Sequence, residues 1–184
     1  GRHSRPSADK WPSLSVATTC YPQSTDFAFR MMGVPQSFVD QFEELPSNWQ
    51  VLPFSKGPIS GFLQGLDIYS YFHSKALIEA FGYCVLEALA TGLPCVVPRY
   101  METSFSDACL YAEPDEAPLV YEQLRTDPKL YETTSRKART FVEERFGLDQ
   151  FTAKFEKIAE PSIAACRSAS ASASACSSSA LSEG

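Results

Sequence analysis

The stretch EAFGYCVLEALATGLPCVVP, Glu79 to Pro98, places two carboxylates eight residues apart in largely apolar text. CVLEALATG reads as a helix closed by Gly92 at its C-cap, and LPCVVP as a short buried strand. Glu79 falls in the loop before that helix, and Glu87 about one turn inside it. At about 100° per residue, the offset leaves the two on neighbouring faces, so both can point toward one cleft. Between them Phe81-Gly82-Tyr83 opens the helix, where unpaired backbone N–H groups and the helix dipole favour an anion. Gly82 carries no side chain to block close approach.

The same alternation continues on both sides. FAFRMMG (27–33), WQVLPF (49–54), DIYSYF (67–72) and CLYA (109–112) read as strands, with ISGFLQGL (59–66) as a short helix. LVYEQLRTD and PKLYETTSRKARTFVEERF follow as helices, with Pro128 suited to a helix start. Strands separated by such helical segments imply βαβ units: a doubly wound, Rossmann-like parallel α/β sheet with helices on both faces and a helical C-terminus. In such sheets ligands bind beyond the carboxyl ends of the strands, and the EAFG loop follows one strand and opens a helix. A phosphate seat between two hydroxyl acceptors fits a nucleotide sugar, which presents a diphosphate, a ribose and a hexose together.

Composition narrows the alternatives. At 184 residues and 44% apolar content, the chain has room for one domain with a core. A net charge of −6 speaks against nucleic acid as a partner. No apolar run approaches the roughly 20 residues of a membrane span. Six Cys without a C-x-x-C pair and only two His do not suggest a zinc site, and a reducing, cytoplasmic setting is expected. The start GRHSRPSADK has neither an initiator Met nor a signal-type apolar region, which suggests a piece of a longer protein. Residues 1–160 are expected to form the domain, and the Ser/Ala-rich 161–184 a disordered tail.

The pattern E-A-F-G-Y-C-V-L-E-A followed by A-T-G-L-P-C-V-V resembles the Glu-x7-Glu signature of retaining glycosyltransferases of the GT-B fold. Gly1-Arg2 with later cations, and Arg139-Thr140-Phe141-Val142 with Phe146, resemble the start and end of that family's C-terminal, donor-binding domain. The resemblance implies transfer of a sugar from a nucleotide-diphosphate sugar to an acceptor, in polysaccharide or glycoconjugate synthesis. Glu87 would accept hydrogen bonds from the ribose, and Glu79 from the transferred sugar. Backbone N–H groups of Phe81, Gly82 and Tyr83 would meet the distal phosphate. Arg5 and Lys10, with Arg2 competing for the role of Arg5, would neutralise the departing diphosphate. The base would rest near Val51 to Ser55, at Phe54. The leaving phosphate would itself assist on the sugar's front face, with no cofactor and no obligatory metal. The acceptor would be held by an N-terminal domain that this chain lacks, and any peripheral membrane association would run through it. Ala80 and Tyr83 depart from the family's usual Gly and Leu or Arg.

Plainer readings compete. Two Glu on a helix can simply form a solvated face, and paired carboxylates also serve glycosidases. A nucleotide-sugar binding module without catalysis of its own is the alternative for the isolated chain. A phosphorylase of related architecture would need a pyridoxal-bearing Lys, and none lies within 79–98. Basic residues near the start can merely solubilise. His73 can face the sugar or pack, and Tyr69, Tyr71, Phe72, Trp11 and Trp49 read as packing residues.

Overall fold

The computed structural model describes residues 1–55 and 57–160. The Ser/Ala-rich 161–184 lies outside the described residues. In chain order the elements are β1 (Arg2–His3), α1 (Leu14–Cys20), β2 (Phe29–Met32), α2 (Gln36–Val39), β3 (Trp49–Leu52), α3 (Ser60–Leu63), β4 (Tyr69–Ser70), α4 (Tyr83–Ala90), β5 (Cys95–Val97), α5 (Glu102–Phe105), β6 (Leu110–Tyr111), α6 (Ala117–Thr126) and α7 (Pro128–Phe146). Short 3-10 turns lie at Ala8–Lys10, Arg99–Met101 and Ser106–Ala108. Gly1–Glu143 form one compact unit, and a second begins at Glu144. The cores and the site lie in the first.

All strand pairings are parallel, β1-β2-β3 in one ladder and β4-β5-β6 in the other. Gly1 joins the two ladders. Its N–H donates to the Ile68 carbonyl at 2.7 Å, and its carbonyl accepts from the Ser70 N–H at 2.9 Å. That bonding extends the sheet in the order β3-β2-β1-β4-β5-β6, which reverses direction between β1 and β4. A crevice opens at such a switch point, beyond the carboxyl ends of the strands.

Side chains of period two feed two cores. Cys95 and Val97 face a core shared with Leu63 of α3, Val85 and Leu89 of α4, and Phe141 of α7. Val96 faces the other, with Cys20 of α1, Phe38 of α2, and Tyr121 and Leu124 of α6. Each such side chain contributes about 1.5–3 kcal/mol on full burial. The helices thus divide between both faces.

The expected strands are present but shorter at their ends, and α7 spans the expected 19 residues PKLYETTSRKARTFVEERF. Asp127 caps α7, its Oδ1 accepting from the N–H groups of Lys129 and Leu130 at 3.0 Å. Pro128 takes the first helical position, where its missing N–H costs nothing. Gly92 closes α4 as expected. It has φ +80°, its N–H donates to Leu89, and the Leu93 N–H reaches back to Ala88. This is a Schellman motif, which turns the chain directly into β5.

Candidate functional site

β1, β2, β3 and β4 all end toward one cleft of about 550 Å³. Arg5 and Lys10 reach it from the chain after β1, and Phe54 from the chain after β3. Glu79 enters from the loop between β4 and α4, and Tyr83 and Glu87 from α4 itself. Most of the side chains singled out in the sequence therefore meet here, from segments as far apart as Arg5 and Glu87.

Gly82 is the N-cap of α4, with φ +81° and ψ +62°. A β-carbon at this position would lie 2.8 Å from the Met101 methyl, so both conformation and space select glycine. Among the described residues, the N–H groups of Gly82, Tyr83 and Cys84 meet no acceptor. They form the donor-rich end of an eight-residue helix. Phe81 turns its ring away from the cleft, toward Phe105 at 5.6 Å between centroids. Ala80 is not among the residues of positive φ, so its departure from glycine brings no backbone strain.

Glu79 is held at its carboxylate from two sides. Lys10 Nζ lies 2.5 Å from Oε2, and the Tyr71 hydroxyl donates to the same oxygen at 3.0 Å. Burial alone would raise the Glu79 pKa, but these hydrogen bonds and the Lys10 charge bring it below the ordinary carboxylate value. Burial pushes the Tyr71 phenol far up, so it remains an O–H donor. Tyr71, read as a packing residue, is therefore also a direct partner of the carboxylate.

Glu87 is half exposed and bonded to His3, with Nε2 at 2.9 Å from Oε2. Burial lowers the His3 pKa despite the nearby carboxylate. The neutral ring therefore donates through Nε2–H and leaves Nδ1 as a bare acceptor, buried without a donor. Sequence reasoning missed this contact because 84 positions separate the partners.

Arg2 lies inside the protein. Expected as a competitor for the phosphate, it is 0% exposed. Its Nη1 donates to the Phe72 carbonyl and its Nη2 to the Lys10 carbonyl at 2.5 Å, with the guanidinium 3.9 Å above the Trp11 ring. A planar cation bonded to two carbonyls and stacked on an aromatic ring is directed inward. It ties the end of β4 to the backbone of Lys10 and thereby helps aim the lysine. Arg5, by contrast, is exposed on the cleft, and its side chain has no hydrogen bond or ion pair among the described residues. His73 does not line the cleft. Its Nδ1 lies 2.8 Å from the Ser74 carbonyl and its Nε2 2.5 Å from the Tyr100 hydroxyl.

Among the described residues no group of three or more His, Cys, Asp or Glu is placed to hold a metal ion. No helix among them is long and apolar enough to cross a membrane.

No protein-family model and no curated protein sequence matches the chain. Solved structures do. Anabaena HepE in complex with UDP-glucose superposes with a TM-score of 0.70 at 17% identity, over 86% of this chain and 48% of HepE. TarM, known from S. aureus, superposes with a TM-score of 0.67 at 19% identity, over 84% of this chain and 33% of TarM. The chain thus spans about half the length of one neighbour and a third of the other. At this identity the likeness establishes the fold, which is the Rossmann-like half of the GT-B fold expected from the Glu-x7-Glu stretch.

Proposed function

We propose that residues 1–160 bind a nucleotide-diphosphate sugar as the donor half of a retaining glycosyltransferase acting in polysaccharide or glycoconjugate synthesis. The observation that carries this reading is the α4 N-terminus. There the N–H groups of Gly82, Tyr83 and Cys84 meet no acceptor among the described residues, and Tyr83 and Cys84 line the cleft together with Glu79 and Glu87. The helix end receives the distal phosphate through hydrogen bonds and its positive dipole. Glu87, already oriented by His3, accepts from the ribose hydroxyls. Phe54 lies beside the base. Glu79 accepts from hydroxyls of the sugar.

Charge develops on the diphosphate as the glycosidic bond breaks. Arg5 has no competing partner among the described residues, and Lys10, paired with Glu79, lines the same cleft. Both cations stabilise the departing phosphate more in the transition state than in the ground state, which is the condition for acceleration. HepE has been solved in complex with UDP-glucose and with UDP and glucose, which supports a uridine nucleotide as the first probe.

Calorimetric titration with UDP, UDP-glucose and other nucleotide sugars tests the reading. Glu87→Ala is expected to weaken nucleotide binding by roughly 1–3 kcal/mol, the range for a lost hydrogen bond to a charged group. Absence of any nucleotide binding, or equal affinity in the variant, rejects it. A second reading, a binding module without turnover of its own, is favoured for the isolated chain by its coverage of only 48% of HepE. Donor affinity without sugar transfer, to acceptor or to water, distinguishes it.

A further inference from the structure

The segment between β4 and α4 carries Glu79 but has no regular structure over 71–82, and Ile78 within it is 83% exposed. Tyr71, Phe72 and His73 are buried, but none of residues 74–80 is, so specific contacts must place Glu79. Its carboxylate bonds to Lys10 and Tyr71, while its backbone N–H lies 3.3 Å from the Tyr100 hydroxyl. Tyr100 stands in the 3-10 turn that follows β5, next to Met101 at 1% exposure, so its backbone is anchored to the sheet.

We propose that Tyr100 is a positioning residue for Glu79, its hydroxyl latching the 73–79 segment to the rim of the sheet through a directed hydrogen-bond chain. The direction follows from the partners. The Ser74 carbonyl can only accept, so His73 Nδ1 carries the proton, and Nε2 of the neutral ring is an acceptor. Tyr100 must then donate its proton to Nε2, which leaves its oxygen lone pairs free to accept the Glu79 N–H. The His73 ring meets Tyr100 edge-on, 5.8 Å between centroids at 78°, which limits sideways movement of the hydroxyl. At the other end, the Ser74 N–H donates to the Asp9 carbonyl at 3.2 Å, tying the segment to the turn that bears Lys10.

The latch requires a neutral His73. Burial holds its pKa below the usual histidine value, and it faces Tyr71, Tyr100, Glu79, Arg2 and Lys10. Glu79 favours protonation, while Arg2 and Lys10 oppose it. A protonated ring cannot accept from Tyr100, so the chain breaks as pH falls below the ordinary histidine range.

The consequence for the donor rests on the reading of Glu79 as a sugar contact, whereas the latch itself does not. Both are read on the full chain with Tyr100→Phe, His73→Gln and His73→Leu. Hydrogen exchange of the 74–82 amides in the ligand-free protein reports the latch. Tyr100→Phe and His73→Leu should speed exchange at the Glu79 amide roughly three- to tenfold, about what one hydrogen bond is worth, with α4 amides and the thermal midpoint unchanged. His73→Gln, whose Oε1 can accept in place of Nε2, should keep wild-type exchange and remove its acid sensitivity. Calorimetry should show UDP-glucose weakened by a similar factor in Tyr100→Phe and UDP unaffected. Unchanged exchange in Tyr100→Phe, or a uniform rise across the fold with a lower midpoint, overturns the latch. Wild-type protein that binds neither nucleotide removes the donor reading instead, and exchange alone then decides for or against the latch.

Discussion

Two cavities of about 550 Å³ open in the first compact unit, at opposite ends of the parallel strands. One lies at the starts of β2 and β4, where Phe27, Leu66, Ile68 and Leu124 are joined by Asp26, Arg30, Asp67 and Arg125. The other lies beyond the strand ends and gathers Arg5, Lys10, Glu79 and Glu87. Volume does not distinguish them. Strand polarity does, because parallel strands bring every strand-to-helix loop, and the N-terminus of α4, to the same edge. The comparison can be broken, or sharpened, by substitutions chosen at each edge.

The largest effect is expected at Arg2. Arg2→Ala leaves the carbonyls of Phe72 and Lys10 without their charged donor inside the protein. About 3 kcal/mol of stability should be lost in urea denaturation. Arg2→Lys should recover little, since one ammonium cannot bond both carbonyls and stack on Trp11 as a planar group does. Near-wild-type stability of Arg2→Ala would mean that the cleft edge does not depend on this buried cation. Next is Gly82→Ala, expected to cost about 2 kcal/mol from the left-handed conformation and the approach to Met101. UDP-glucose affinity should fall with it as the helix end shifts.

A smaller effect concerns pH. The folded-state pKa of Glu79 is depressed, so its contribution is fully present above the unfolded value near 4.5 and is lost as pH falls through the lower folded value. The stability difference between the wild type and Glu79→Gln should thus be flat at neutral pH and shrink only on acidification below about 4.5. A difference that instead changes between pH 6 and 8 would assign the titration to another group. The smallest effect is expected at the opposite cavity. Arg125→Ala should leave nucleotide affinity within about 0.5 kcal/mol of wild type, as for a distant surface site. A tenfold loss there would abolish the distinction between the two edges.

Much of the architecture was legible because its signals are local. Gly92 marks the end of α4 through its own backbone freedom, and Pro128 with Asp127 marks the start of α7 within three residues. The apolar run through Cys95, Val96 and Val97 is a property of a single strand. Other elements left no such trace. β1 is only two residues long, too short for periodicity to register. Of the expected strand over 67–72 only Tyr69–Ser70 is assigned to β4, although the Tyr71 N–H still bonds to Val96. α2, at four residues, carries too few apolar positions to establish a period.

The candidate site divides along the same line. By itself the sequence determined that Glu79 and Glu87 flank a helix start, that Gly82 allows close approach there, and that parallel strands feed a loop-lined edge. These follow from residue type and spacing over a dozen positions. Only the tertiary structure decided that Arg2 turns inward while Arg5 faces the cleft, although three positions separate them. It also paired His3 with Glu87, and Lys10 and Tyr71 with Glu79, and it set Tyr100 over the Glu79 backbone. A charged side chain's role depends on which carbonyls and rings fold against it, and those partners come from strands that are neighbours only once the sheet is assembled.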